Sequence, residues 1–173
     1  MSGKDPRYPI GEFRAPESIS PEDRARYIET IASAPARMRQ AVSGISAAQL
    51  DTPYRAGGWT ARQVIHHVPD SHMNAYIRFK MALTETDPVI KPYDETAWAQ
   101  LSDTAGTPVE TSLSLLESLH QRWVVLMRAL AAEDWRKKFI HPEHGQSFTL
   151  EHALASYAWH CDHHIAHVKS VTG

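Results

Sequence analysis

Apolar residues recur along this chain at the three- and four-residue spacing of amphipathic α-helices. Ser20-Pro21 predicts the start of the first helix, because proline at the first helical position loses no hydrogen bond. We expect this helix to run to Gly44 and to bend at Pro35. A single further helical turn is expected at residues 46–50.

The second long helix has the most clearly marked start. Thr60 is expected to be its N-cap, and Gln63 completes a capping box with it. The helical pattern extends to about Glu85 and includes Pro69. Since proline lacks an amide hydrogen, Pro69 should remove one backbone hydrogen bond and kink the helix.

A long connection, residues 86–107, follows the second helix and contains a short amphipathic piece at residues 94–101. Its length permits a crossover between parallel neighbours instead of a tight hairpin. Thr107 and Glu110 predict a capping box at the start of the third helix, whose apolar pattern continues to Leu130.

The fourth long helix is expected from residue 150 to about residue 171, with Thr149 as its N-cap. Before it, residues 139–148 contain proline and glycine and predict a loop or a small hairpin. No stretch has the strict alternation of a typical strand. The pattern therefore predicts an all-α fold, a four-helix bundle with a long connection between the second and third main helices, in a single domain spanning residues 1–173.

Composition narrows the possible partners. The chain has 173 residues, a formal net charge of −2 and no stripe of lysine or arginine, which argues against nucleic acid as a partner. No apolar run suits a membrane helix and no export signal is seen, so we expect a cytoplasmic protein without a membrane partner. The single cysteine, Cys161, excludes an internal disulfide and is expected in the apolar core. A chain of this size folds without a structural metal, so any metal should be functional.

Four of the chain's 11 histidines lie in the run WHCDHHIAH, residues 159–167. His160 and His164 are four residues apart, so a helix places both rings on one face, where they could share a metal ion. A helical projection puts this pair at the border of the apolar face. His163 and His167 lie farther out, and we expect them to face solvent or to support the ligands from behind.

A third ligand must come from another element, and the second helix offers candidates. His67 lies at the edge of its apolar stripe and His72 within the stripe, so the two compete as the inward-facing histidine. His66 is expected to face solvent or to support the ligands from behind. On residue spacing alone, the choice between His67 and His72 stays open.

Four segments together resemble one family. They are YPIGEF near the N-terminus, QLDTPYRAGGWTARQVIHHV and DSHMNAYIRFK around the second helix, and WHCDHHIAH in the last helix. On these motifs the chain resembles the DinB/YfiT-like superfamily of bacterial metal-binding four-helix bundles, and specifically its YfiT-type branch. The resemblance implies one divalent metal per chain, zinc or nickel, held by His67, His160 and His164. It also implies a homodimer.

The same resemblance implies a metal-dependent hydrolase, in which the ion activates a bound water nucleophile. Two alternatives stay open: a transferase for a low-molecular-weight thiol of the bacillithiol type, with the thiolate on the metal, and a non-catalytic metal-binding stress protein. Either enzyme would have a small-molecule substrate, and Arg78 and Asn74 are candidate contacts for its carboxylate. The sequence assigns no general base.

Overall fold

The computed structural model describes residues 5–143 and 145–172 of the chain. The four longest helices, α1, α3, α6 and α7, form a four-helix bundle, as predicted, and short elements connect them. The helices are α1 (Pro21–Ala41), α2 (Ala47–Leu50), α3 (Ala61–Thr84), α4 (Glu95–Trp98), α5 (Ser102–Gly106), α6 (Val109–Arg128) and α7 (Leu150–Thr172), and the strands are β1 (Lys138–His141) and β2 (Gln146–Thr149).

The predicted starts of α3 and α7 are confirmed. The Thr60 hydroxyl accepts a hydrogen bond from the Gln63 amide at 3.1 Å, and the Gln63 side chain accepts one from the Thr60 amide at 2.9 Å. The Thr149 hydroxyl accepts from the His152 amide at 3.1 Å at the start of α7. Helix α3 is continuous through Pro69, so this proline does not end the helix.

The predicted capping box at Thr107 is wrong. Pro108 is the N-cap of α6, and no side chain caps that end of the helix. Thr107 instead closes α5, a short helix that the sequence pattern did not indicate, by donating its amide hydrogen to the Asp103 carbonyl at 2.9 Å. Helix α6 begins one residue later than the predicted box requires, since its Thr111 amide donates to the Pro108 carbonyl at 3.0 Å.

The order of the helices around the bundle follows from which of them pack together. Helices α1 and α3 each pack against both α6 and α7, so α1 and α3 occupy opposite corners. Helices α3 and α6 run parallel, because His66 bonds Ser112 near their starts and His72 bonds His120 further along both. The long connection between them is therefore the crossover that its length permitted.

Helices α1 and α7 are also parallel neighbours. Ion pairs join Arg24 to Glu151 near their starts and Arg37 to Asp162 further along. Helix α3 runs antiparallel to α7, since His67 near the start of α3 meets His160, whereas Arg78 further along α3 meets Tyr157, which comes earlier in α7. The bundle thus contains two parallel and two antiparallel pairs of neighbouring helices, and the antiparallel α3–α7 pair carries most of the histidines.

A small hairpin closes one side of the α3–α7 groove. Strands β1 and β2 pair antiparallel, with Phe139 opposite Phe148. The connection after α3 joins the outer edge of β1, where the Ile140 amide donates to the Pro88 carbonyl at 2.8 Å. Within the described residues, no helix is long and apolar enough to cross a membrane.

Candidate metal centre

Three histidine side chains converge between α3 and α7. The Nε2 atom of His160 lies 3.3 Å from Nε2 of His67 and 3.1 Å from Nε2 of His164. His67 and His164 are buried, and His160 is half-buried. The antiparallel packing brings the start of α3 against the later turns of α7, so that residues 93 positions apart meet at one point.

The spacing of these nitrogens matches a tetrahedral metal centre. Imidazole nitrogens bind zinc at about 2.0–2.1 Å, so two ligands of a tetrahedral ion lie roughly 3.3 Å apart. The ligand atoms of His67, His160 and His164 all lie within 4.8 Å of one another and could hold a metal ion. Three neutral imidazoles would leave a divalent ion its full charge and at least one open position.

Burial keeps these three imidazoles neutral near pH 7. It lowers the pKa of His67 to about 4. Burial, followed by the charges of neighbouring histidines, holds the pKa of His160 and of His164 well below the ordinary value of 6.5. Neutral imidazole has one bare nitrogen that can bind a metal, whereas the charged form has none.

His72 lies behind the cluster and does not belong to it. Its ring is fully buried, as predicted, and its Nε2 atom lies 3.0 Å from Nδ1 of His160. On the other side, Nδ1 of His72 lies 2.8 Å from Nε2 of His120. The structure thus brings His67 into the cluster and places His72 against the back of one member.

The expectation that His66, His163 and His167 could face solvent is wrong. All three are buried: His66 lies against Ser112 between α3 and α6, with Nδ1 and the hydroxyl 2.7 Å apart. The outer face of α7 is covered by the N-terminal segment, residues 6–11. Its Pro6 carbonyl lies 3.2 Å from Nε2 of His167. The other expectation, support from behind, fits His167, whose Nδ1 lies 3.4 Å from Nδ1 of His164.

A second group, His163, His164 and His167, could also hold a metal ion. It shares His164 with the first group, and His164 turns Nε2 towards His160 and Nδ1 towards His167. Filling both groups at once would require His164 to lose its last ring proton, which is costly for neutral imidazole. The group of His67, His160 and His164 is therefore the candidate centre.

Two cavities meet at His160. One, of about 480 Å³, is lined by all three histidines of the candidate centre and by aromatic and polar residues that include Trp59, Trp159 and Glu95. The other, of about 240 Å³, reaches His160 from the hairpin side and is lined by Arg78 and Glu95. Glu95 is thus shared by both cavities, a position that the sequence did not reveal because it depends on the path of the connection after α3.

The two predicted substrate contacts differ in position. Arg78 lines the smaller cavity, and its guanidinium donates to the Tyr157 hydroxyl at 3.5 Å. Among the described residues it forms no salt bridge. Asn74 donates its side-chain amide to the Asp70 carbonyl one turn back along α3 and lines neither cavity. The cysteine, Cys161, is buried in the core as predicted, and burial raises the pKa of its thiol.

Fold and cluster together define a helical bundle with a histidine-lined candidate metal centre in the groove between two antiparallel helices. The chain belongs to the DinB superfamily, whose family model matches residues 30–168. That range includes α3, α6 and most of α7, and with them every histidine of the candidate centre.

Relatives of known name and structure are similar over nearly the whole chain. A Bacillus subtilis (strain 168) protein named "Putative metal-dependent hydrolase YfiT" is 48% identical over 172 residues, covering 99% of this chain and 97% of its own length. A Bacillus cereus (strain 03BB102) protein, named "Putative metal-dependent hydrolase", is 52% identical over 167 residues, covering 96% of this chain and 95% of its own.

A solved structure agrees with the fold. It is described as "YfiT from Bacillus subtilis is a probable metal-dependent hydrolase with an unusual four-helix bundle topology" and matches with a TM-score of 0.94 at 49% identity, over 96% of this chain and 95% of that chain. The parallel pairing of α3 with α6 and of α1 with α7 distinguishes this bundle from the simple up-and-down arrangement.

Proposed function

We propose that this chain is a metal-dependent hydrolase of small-molecule substrates, with one divalent ion, zinc or nickel, held by His67, His160 and His164. The observation that carries the proposal is the convergence of three neutral imidazole nitrogens at the spacing of tetrahedral ligands. The names of the relatives support the same activity. When bound, such an ion supplies a positive charge that lowers the pKa of a water molecule to about 7 and polarises a substrate carbonyl.

The protein's own residues would bind and orient the substrate. The larger cavity opens directly onto the three histidines and has aromatic walls, which suit an apolar part of a substrate. The smaller cavity offers an anionic group the guanidinium of Arg78, which forms no salt bridge within the described part of the chain. A substrate that spans both cavities would place its reactive carbonyl near His160.

The first test is metal content. We expect purified protein to contain about one zinc or nickel ion per chain by elemental analysis, and each of His67→Ala, His160→Ala and His164→Ala to lose it. The matched control is His152→Ala, on the same helix as two of the proposed ligands and outside both histidine groups. Metal retained by all three ligand variants would contradict the proposal.

The second test is turnover. Hydrolysis of simple carboxylic esters or amides should require the metal and should stop when a chelator removes it. Arg78→Ala should raise KM for an acidic substrate and leave KM for a neutral analogue unchanged, since only the acidic group needs the guanidinium. If wild type and Arg78→Ala had the same KM for the acidic substrate, Arg78 would not contribute to substrate binding.

Thiol transfer is the second candidate, and Arg78 is the observation that favours it. An anion-binding group next to a metal suits a small acidic thiol as well as it suits an acidic ester. Cys161 is buried with a raised pKa, so a reacting thiolate would have to come from a substrate. Conjugation of a small thiol with an electrophile, lost on chelation and in His160→Ala, would select this function. Metal binding without turnover in either assay would favour the third alternative, a non-catalytic metal-binding protein.

A further inference from the structure

Two of the candidate ligands end a chain of hydrogen bonds that begins at a backbone carbonyl. The longer hydrogen-bond chain starts at Ile31 in α1, whose carbonyl oxygen lies 2.7 Å from Nδ1 of His120. In a regular helix that carbonyl would accept from the amide four residues later, but that residue is Pro35, which has no amide hydrogen. Pro35 thus frees the carbonyl for His120.

This carbonyl fixes the direction of every bond in the longer chain. A carbonyl oxygen only accepts, so Nδ1 of His120 carries the proton, and in the neutral ring that burial favours, Nε2 is bare. His72 must then donate from Nδ1 to His120, at 2.8 Å, which leaves Nε2 of His72 bare. His160 must in turn donate from Nδ1 to His72, at 3.0 Å. The remaining nitrogen of His160, Nε2, is bare and faces the candidate centre.

A shorter chain reaches His164 from the other side of α7. The Pro6 carbonyl accepts a hydrogen bond from Nε2 of His167 at 3.2 Å, which leaves Nδ1 of His167 bare. His164 must donate from its Nδ1 to that atom, at 3.4 Å. Its own Nε2 is then bare as well, and it lies 3.1 Å from the bare Nε2 of His160.

We infer that His72, His120 and His167 are positioning residues, which hold His160 and His164 in the tautomer that keeps Nδ1 protonated and turns a bare Nε2 towards the candidate centre. The two hydrogen-bond chains are independent, since one begins at a carbonyl in α1 and the other at a carbonyl in the N-terminal segment. The opposite tautomer would place an N–H group at the centre, where it would have to leave before a metal could bind. The consequence for the metal rests on the proposed function, whereas the tautomers do not.

The tautomers can be measured without any metal. In metal-free protein with ¹⁵N-labelled histidine, long-range ¹H–¹⁵N correlation spectra distinguish a protonated Nδ1 from a protonated Nε2. We expect Nδ1 to be protonated in His120, His72, His160 and His164, and Nε2 in His167. A spectrum with Nε2 of His160 or His164 protonated in the wild-type protein would overturn the inference.

Paired variants test whether each hydrogen-bond chain determines the tautomer of the candidate ligand at its end. His120→Leu removes the acceptor for His72, so His72 and His160 should change partly to the Nε2-protonated form. His120→Gln keeps one acceptor and one donor and should restore the wild-type spectrum. His167→Leu and His167→Gln form the matching pair for His164. Each leucine variant should alter only the ligand at the end of its own chain.

Zinc affinity provides the second readout. Competition with a chromophoric chelator should show about 10- to 100-fold weaker binding in the leucine variants and near wild-type binding in the glutamine variants. A single leucine variant that disturbed His160 and His164 alike would indicate a general structural role and would overturn the inference. An unchanged spectrum in both leucine variants would also overturn it. Wild-type protein with the expected tautomers but no zinc binding would contradict the proposed function and leave the tautomer inference intact.

Discussion

Glu95 is the acidic residue at the junction of the two cavities. It lies in the first turn of α4, lines both cavities and shares one of them with the three histidines of the candidate centre. The surrounding protein raises the pKa of its carboxyl group above the ordinary value by desolvation, while the charge of Arg78 acts in the opposite direction. A carboxylate with a raised pKa in such a place suits a proton acceptor for an attacking water molecule.

We therefore expect Glu95→Gln to lower kcat for hydrolysis by about 10²- to 10⁴-fold, because the amide cannot accept the proton. Metal content, measured by elemental analysis, should stay at the wild-type level, since Glu95 belongs to neither histidine group. In the wild type, activity should fall on acidification, because protonated Glu95 cannot accept a proton, and the fall should lie at a higher pH than the ordinary glutamate pKa would give. Glu133→Gln, with the same charge change at an exposed position that lines neither cavity, is the control. Wild-type kcat in Glu95→Gln would exclude the role.

Single residues also show where the sequence stops being informative. A helical projection places His160 and His164 at the border of the core, and the structure brings them together with His67. The same projection leaves His163 and His167 outside, because it describes α7 against the bundle alone. The N-terminal segment covers that outer face, with the Tyr8 ring near His163 and the Pro6 carbonyl on His167. No periodicity in α7 reports a cover that is more than 150 residues away in sequence.

At the level of elements, the sequence predicted those helix starts that depend on residues close together in the sequence. The start of α3 depends on Thr60 and Gln63, three residues apart, and both halves of that capping box are present. Helix α5 has no side-chain N-cap, and it packs against α3 through tertiary contacts that no local pattern encodes. Pro35 illustrates both cases: its place in α1 was predicted, but its effect on the Ile31 carbonyl depends on His120 from another helix.

Thr60→Ala tests the contribution of the α3 cap. Loss of the hydroxyl leaves an amide at the helix start without its acceptor, so the free energy of unfolding in urea should fall by about 1 kcal/mol. Ser46→Ala removes an equivalent cap from α2, which has four residues and none buried, and should cost less. If Ser46→Ala lowered the free energy of unfolding as much as Thr60→Ala, the α3 cap would contribute no more to stability than the α2 cap.

At the scale of the whole molecule, the bundle buries a connected group of histidines in their neutral form. Burial lowers the pKa of His67 and of His120 to about 4, and holds the pKa of His72, His160 and His164 well below 6.5. The unfolded chain binds protons at the ordinary pKa, near 6.5, whereas the folded chain binds them only at a lower pH. Stability in the metal-free state is therefore lost as the pH falls below about 6.5.

The size of this loss is large relative to typical folding free energies. A histidine whose pKa falls from 6.5 to about 4 costs the folded state roughly 1.4 kcal/mol at pH 5.5 and about 3 kcal/mol at pH 4. Asp70 acts in the opposite direction, because burial raises its pKa to about 6 and the folded state gains stability as it becomes protonated. One half-buried carboxyl group cannot offset several buried histidines, and domains of this size are stable by only about 5–15 kcal/mol.

We therefore expect the unfolding midpoint of metal-free protein, followed by circular dichroism, to fall steeply between pH 7.5 and pH 5. Removing one buried imidazole while keeping its hydrogen bonds should reduce the slope, so His120→Gln should lose about 1 kcal/mol less than wild type between pH 7.5 and 5.5. Zinc at pH 7.5 should raise the midpoint, since it binds only the folded arrangement of ligands. A midpoint that stays constant or rises on acidification would contradict the neutral, buried state of these histidines.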